Sequence, residues 1–137
     1  MQALADFAAE FSPFPNEDNK SPWTLHVDNS SNNKSCGAGV VLEGPGNLVI
    51  EKALKIDLKA SNNQVEYEAI IAGLNLAIDL DVEKLVCKSD SQLVVGQLKG
   101  EFEVRETLLQ RYFHFVQGLL TKFDEVTIQH IRREHNA

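Results

Sequence analysis

The chain has 137 residues, 43% of them apolar, and a formal net charge of −7 from 13 basic and 20 acidic side chains. That length and apolar content suit one domain with one core. The acidic balance argues against a nucleic-acid binder that works by bulk positive charge, but not against a metal-dependent nuclease, whose ion-binding acids count toward the negative total.

Met1 to Glu10 is Ala-rich and reads as a short helix, which Phe11-Ser12-Pro13-Phe14-Pro15 breaks because both prolines lack a backbone donor. The N-terminus has no basic flank followed by a signal-like apolar run. Nowhere does an apolar run reach the roughly 18 residues of a membrane span. Asn16 to Pro22 is polar, so residues 1–21 are taken as a lead-in and 22–137 as the domain. Trp23 to Asp28 alternates large apolar with polar side chains, as a half-buried strand does. Asn29 to Ser35 carries a turn composition. Cys36 to Glu43 resumes a strand whose small residues suit close backbone packing. Gly44-Pro45-Gly46-Asn47 is a turn, and Leu48 to Leu58 alternates again. The first half is therefore a three-stranded meander.

A helical period follows. Ser61 with Gln64 forms a capping-box pattern, and Val65, Ala69, Ala72, Leu76 and Leu80 recur at helical spacing until Asp79-Leu80-Asp81. Gly73 weakens the helix by about 1 kcal/mol against Ala, and its small size suits close approach to a sheet. Glu83 to Lys88 reads as a buried central strand. Ser89 with Gln92 forms a second capping-box pattern ahead of a short helix, Leu93 to Leu98. Glu106 to Phe123 is a third helix, with Leu108, Leu109, Tyr112, Phe113, Val116, Leu119, Leu120 and Phe123 on its apolar face. Val126 to Ile131 is a last strand. The order βββαβααβ implies an α/β domain, a mixed five-stranded sheet with helices packed on it. Cys36 and Cys87 form no C-x-x-C pattern and read as buried reduced thiols of an intracellular protein, cytoplasmic or nuclear.

Three acids stand at element ends. Asp28 closes the first strand, Asp90 follows the fourth directly, and Glu66 falls in the first turn of the long helix. Sites in α/β sheets collect at strand ends and adjoining helix N-termini. If strands one and four are neighbours, the three carboxylates converge, and a divalent cation relieves their repulsion. Mg²⁺ prefers such hard oxygen ligands. Two ions about 4 Å apart can activate water and steady the leaving oxygen in phosphodiester cleavage. Taken singly, each acid also has an ordinary structural use. A strand-end Asp serves turns and N-caps, and a Glu in a first helical turn complements the dipole.

Val27-Asp28-x-Ser30, Ser61-Asn62-Asn63-Gln64-x-Glu66-Tyr67-Glu68-Ala69 and Ser89-Asp90-Ser91-Gln92-Leu93-Val94, in that order, resemble type 1 ribonuclease H. The closer resemblance is to the ribonuclease H domain of plant gypsy-class retrotransposon polyproteins (reverse transcriptase/RNase H). It covers Trp23 to Ala137, and Gln2 to Phe7 resembles the connection ahead of that domain. The resemblance implies a ribonuclease H-like fold with strand order 3-2-1-4-5. It implies metal-dependent endonucleolytic hydrolysis of the RNA strand of RNA–DNA hybrids, with two Mg²⁺ or Mn²⁺ ions. Asp28, Glu66 and Asp90 match three of the four acids that bind metal and carry catalysis. Ser30, Asn63 and Gln92 match positions that touch the hybrid backbone or its 2′-hydroxyls, the group that distinguishes RNA from DNA. A mobile His or Arg that assists proton transfer or product release has three candidates, His130, Arg133 and His135.

The chain departs from the family pattern at two places. Asn29 stands where the family usually has Gly, and Asn tolerates unusual backbone angles. The pattern also runs past Arg133-Glu134-x-Asn136-Ala137 into a final helix carrying the fourth acid, so a C-terminally truncated domain missing that helix is expected. Expected partners are the hybrid and the remainder of a reverse transcriptase polyprotein, with no membrane, the domain itself being a monomer. The competing expectation, motivated by the missing fourth acid and the negative charge, is a catalytically impaired module that binds nucleic acid or a protein partner. His26 and His114 read as structural, Trp23 and the Phe-rich helix as core, and Glu68 as solvated or lying behind the metal ligands.

Overall fold

The computed structural model describes residues 21–31, 36–56 and 61–132; of these, the side chains of residues 28–31, 36, 37 and 56 lie outside the description. The elements are β1 (Trp23–Ser31), β2 (Cys36–Gly44), β3 (Leu48–Ile56), α1 (Asn62–Asp79), β4 (Lys84–Ser89), α2 (Gln92–Leu98), α3 (Thr107–Leu120) and β5 (Glu125–His130). Their order is the expected βββαβααβ. They form one five-stranded sheet in the order β3-β2-β1-β4-β5, as the resemblance implied. The meander is antiparallel, while β1–β4 and β4–β5 are parallel. The lead-in, residues 1–20, and residues 133–137 lie outside the described residues.

Alternation along the strands sets which face is buried. Leu25 and Val27 of β1 and Ala38, Val40 and Leu42 of β2 are all buried and lie under α1. The turn before β3 is a short 3-10 turn, Pro45–Asn47, in which Gly46 and Asn47 take positive φ of 74° and 63°. Gly and Asn enter that left-handed region at least cost.

The capping box of α1 forms as expected: Gln64 N–H donates to Ser61 Oγ, and Ser61 N–H donates to Gln64 Oε1. Gly73 is a contact point. A Cβ there would come within 2.6 Å of Leu25 Cδ2, so the missing side chain lets α1 lie down on β1. Helix α3 packs beside α1, where Tyr67 and Tyr112 stack with ring centroids 5.8 Å apart. Tyr67 hydroxyl donates to Gln97 Oε1 on α2 at 2.7 Å, so one buried phenol joins two helices.

The structure corrects several expectations. β1 runs to Ser31 because its ladder with β2 continues through Asn29↔Ala38 to Ser31↔Cys36; Asn29 therefore lies in the strand. Glu66 is the fifth residue of α1, one turn deeper than expected. The second capping box does not form. Ser89 is the last residue of β4, and Ser91 caps α2 by accepting the Val94 N–H. β4 is buried at alternate positions, Leu85, Cys87 and Ser89, rather than throughout. Leu108, at the start of α3, and Leu80, at the end of α1, face solvent at 43% and 42% exposure. Among the described residues no helix is long and apolar enough to cross a membrane.

Candidate metal centre at the sheet end

The parallel pairing of β1 with β4 decides where the site lies. Val27 is paired with Ser89. The next residue in each chain is an acid, so the backbone brings positions 28 and 90 close together where the β1–β4 ladder ends. Asp28 is itself paired on its other side with Gly39 of β2; its carboxylate is among the side chains outside the description. Asp90 is half-buried at the turn between β4 and α2.

Glu66 arrives from α1. It is 1% exposed, and Ser89, at 0%, donates its hydroxyl hydrogen to Glu66 Oε2. The same Ser89 Oγ accepts the Ser91 N–H at 3.1 Å. The Ser89 carbonyl accepts the Ile131 N–H at 2.9 Å, which holds the end of β5 against it. Glu66, Ser89 and the turn carrying Asp90 are thus joined by hydrogen bonds. The structure ties the Glu66 side chain through Ser89 to the turn that carries Asp90, and the β1 backbone brings position 28 to their flank.

The remaining candidates distribute around this end. Asn63 is half-buried at the second position of α1, and Gln92 is exposed at the first position of α2. Ser30 lies near the end of β1, opposite Gly37, with its side chain outside the description. His130, exposed, is paired with Ser89 in the β4–β5 ladder. Arg133 and His135 lie outside the described residues. Glu68 accepts a hydrogen bond from Tyr112 hydroxyl at 2.5 Å on the α1–α3 surface, away from Glu66. His26 faces Glu43 at 3.6 Å on the sheet, and His114 is exposed on α3 beside the Phe113 ring.

The donor chemistry fits a hard cation. Burial first, and then the Glu66 charge, pushes the Cys87 thiol up to about 12. Cys87 is therefore a neutral thiol at physiological pH, and the groups here that could hold a hard cation are carboxylates. A divalent ion would also offset the cost of burying the Glu66 charge. Among the described side chains no three His, Cys, Asp or Glu groups gather as a metal site; the expected third ligand is Asp28. Sequence reasoning missed Ser89 because its spacing to Gln92 imitates a helix cap.

Known proteins are similar to this chain in sequence and fold. A family model described as reverse transcriptase-like matches residues 26–137. The ribonuclease HI of Halobacterium salinarum is 38% identical over 97 residues, which are 71% of this chain and 48% of that protein, so the chain spans about half of that relative's length. The crystal structure of the RNase H1 from that archaeon superposes with a TM-score of 0.74 at 32% identity, covering 82% of this chain and 87% of the other. The N-terminal RNase H domain of Rv2228c from Mycobacterium tuberculosis gives a TM-score of 0.72 at 27% identity, covering 82% and 88%. LC11-RNase H1, from compost, was solved in complex with an RNA/DNA hybrid; it gives a TM-score of 0.70 at 28% identity, covering 84% and 88%.

Proposed function

The chain belongs to the reverse transcriptase-like family of ribonuclease H-fold domains, and from that premise we propose that it hydrolyses the RNA strand of RNA–DNA hybrids in a metal-dependent reaction. The observation that carries the reading is the Glu66–Ser89 hydrogen bond at the turn bearing Asp90, beside the β1 end bearing Asp28. A helix acid buried to 1% exposure against the end of β4 belongs to a functional site more readily than to a surface pair.

In this reading Asp28, Glu66 and Asp90 hold Mg²⁺ or Mn²⁺, two ions during catalysis. Bound there, the ions supply an activated water and neutralise charge at the scissile phosphate. The chain's own residues do the rest. Ser89 steadies the Glu66 carboxylate. Ser30, Asn63 and Gln92 ring the same end and touch the hybrid backbone or its 2′-hydroxyls, which selects the RNA strand. His130, exposed beside Ser89, moves a proton at the sheet end as product leaves; Arg133 and His135 share that candidacy. Water adds across one phosphodiester bond, leaving a phosphate end and a hydroxyl end. The motifs around Asp28, Glu66 and Asp90, with the Gln2 to Phe7 lead-in, further support an origin in a gypsy-class retrotransposon polyprotein. A monomer working on intracellular hybrids follows from the same reading.

The test is cleavage of a labelled RNA–DNA hybrid with Mg²⁺ or Mn²⁺. Asp90→Asn should abolish cleavage while circular dichroism shows an intact fold. Unchanged cleavage by Asp90→Asn would sink the assignment. Hybrid binding without turnover in millimolar Mn²⁺ would instead mark a module that binds and does not cut.

A further inference from the structure

Ser89 stands out in its own strand. Its neighbours on the same face, Leu85 and Cys87, are apolar and buried, and Ser89 is buried as deeply at 0% exposure. A hydroxyl placed there costs free energy unless it is hydrogen-bonded. It is bonded twice: it donates to Glu66 Oε2 and accepts from the Ser91 N–H at 3.1 Å. The two partners lie on different elements, α1 and the turn into α2, and Asp90 sits between Ser89 and Ser91 in the chain. The terminal torsion of a Glu side chain is broad and unlocked by itself. A donor on one oxygen fixes the plane of that carboxylate.

We propose that Ser89 is a positioning residue that sets the Glu66 carboxylate relative to Asp90 and thereby sets the affinity of this sheet end for a divalent cation. The role rests on the metal-dependent reading above. Groups that orient metal ligands typically change metal affinity by about 10–100-fold when removed.

The experiment is calorimetric titration of the full chain with Mn²⁺, without nucleic acid, for the wild type and for Ser89→Ala, Ser89→Thr and Glu66→Gln. Ser89→Ala is expected to weaken Mn²⁺ binding by about 10-fold or more. Ser89→Thr, which keeps the hydroxyl, is expected to restore it. In hybrid cleavage, Ser89→Ala should raise the half-saturating Mg²⁺ and, once Mg²⁺ is saturating, leave KM for the hybrid unchanged, a split that general loosening of the fold does not produce. Wild-type Mn²⁺ affinity in Ser89→Ala, with binding lost in Glu66→Gln, overturns the Ser89 role alone. No Mn²⁺ binding by the wild type, or wild-type binding by Glu66→Gln, overturns the metal-site reading and the Ser89 role with it. If Ser89→Ala does not fold, Ser89→Cys carries the test, because a thiol is a weak donor. Affinity between wild type and none is then expected, and full wild-type affinity overturns the proposal.

Discussion

Two buried side chains give the interior a measurable alkaline signature. Burial, reinforced by the Glu66 charge, pushes Cys87 from 9.0 to about 12. Burial pushes Tyr67 from 10.0 to about 12, where its hydroxyl donates to Gln97. Both groups are neutral when protonated, and the folded state favours that form. Their contribution is therefore complete below the unfolded values and is lost as pH rises through the folded ones. Tyr112 shifts the same way through burial and its bond to Glu68, opposed by Gln64, but it is partly exposed and solvent screens the effect. The urea midpoint should hold steady up to about pH 9 and fall between about pH 9 and 12. Cys87→Ala should delay the start of that fall to about pH 10, where Tyr67 begins to titrate in the unfolded chain while the folded one still holds its proton. A midpoint that stays flat through pH 11 would show that these groups are less desolvated than their burial implies. A native Cys87 should also resist alkylation at pH 8, since the thiolate is the reactive form.

Helix α1 is where sequence pattern and tertiary demand meet. Its N-cap was readable because Ser61 and Gln64 satisfy each other locally, with no help from the rest of the fold. Ser61→Ala should cost about 1 kcal/mol, read as a lower thermal midpoint. Gly73 was readable as a close contact, but its partner was not, because Leu25 is distant in sequence. Gly73→Ala sets two effects against each other. Helix propensity gains about 1 kcal/mol, while a methyl forced against Leu25, fully buried with nowhere to move, costs about 1–3 kcal/mol. Packing should win, so Gly73→Ala should lower the thermal midpoint; a rise would mean that α1 can lift off β1 freely. The strands were legible for the same reason as the cap, since alternation and turn residues are local signals, whereas their order in the sheet came from the family resemblance. Ser89 was not legible. Its spacing to Gln92 matches a cap, and only the Val27↔Ser89 register and the approach of Glu66 reveal its use. The bond from Tyr112 to Glu68 was hidden likewise, since it exists only once α3 lies beside α1. The approach of the backbone at positions 28 and 90 was readable at the level of strand ends, and the depth at which Glu66 is held was not.

At the scale of the whole molecule, charge sets how a nucleic acid could be held. The chain carries −7, so a polyanion meets net repulsion at long range. Some of its cations are also neutralised locally: Lys99 lies 3.8 Å from Glu101, and Arg105 3.0 Å from Glu103, in the segment between α2 and α3. On the function proposed above, binding to a hybrid would rest on close contacts at the sheet end, from Ser30, Asn63 and Gln92, and on cations that Asp28, Glu66 and Asp90 would hold. Two consequences separate this mode from a basic-stripe mode. Affinity for the hybrid, followed by fluorescence anisotropy, should vary weakly with monovalent salt. A log–log slope no steeper than about −3 is expected, because few phosphates are neutralised by Lys or Arg. Chelation should then weaken hybrid binding as well as stop cleavage, and added Mn²⁺ should recover both. A steep salt slope with binding indifferent to chelation would place the contact on basic residues away from Glu66 and Asp90. The acidic balance would then have no part in recognition.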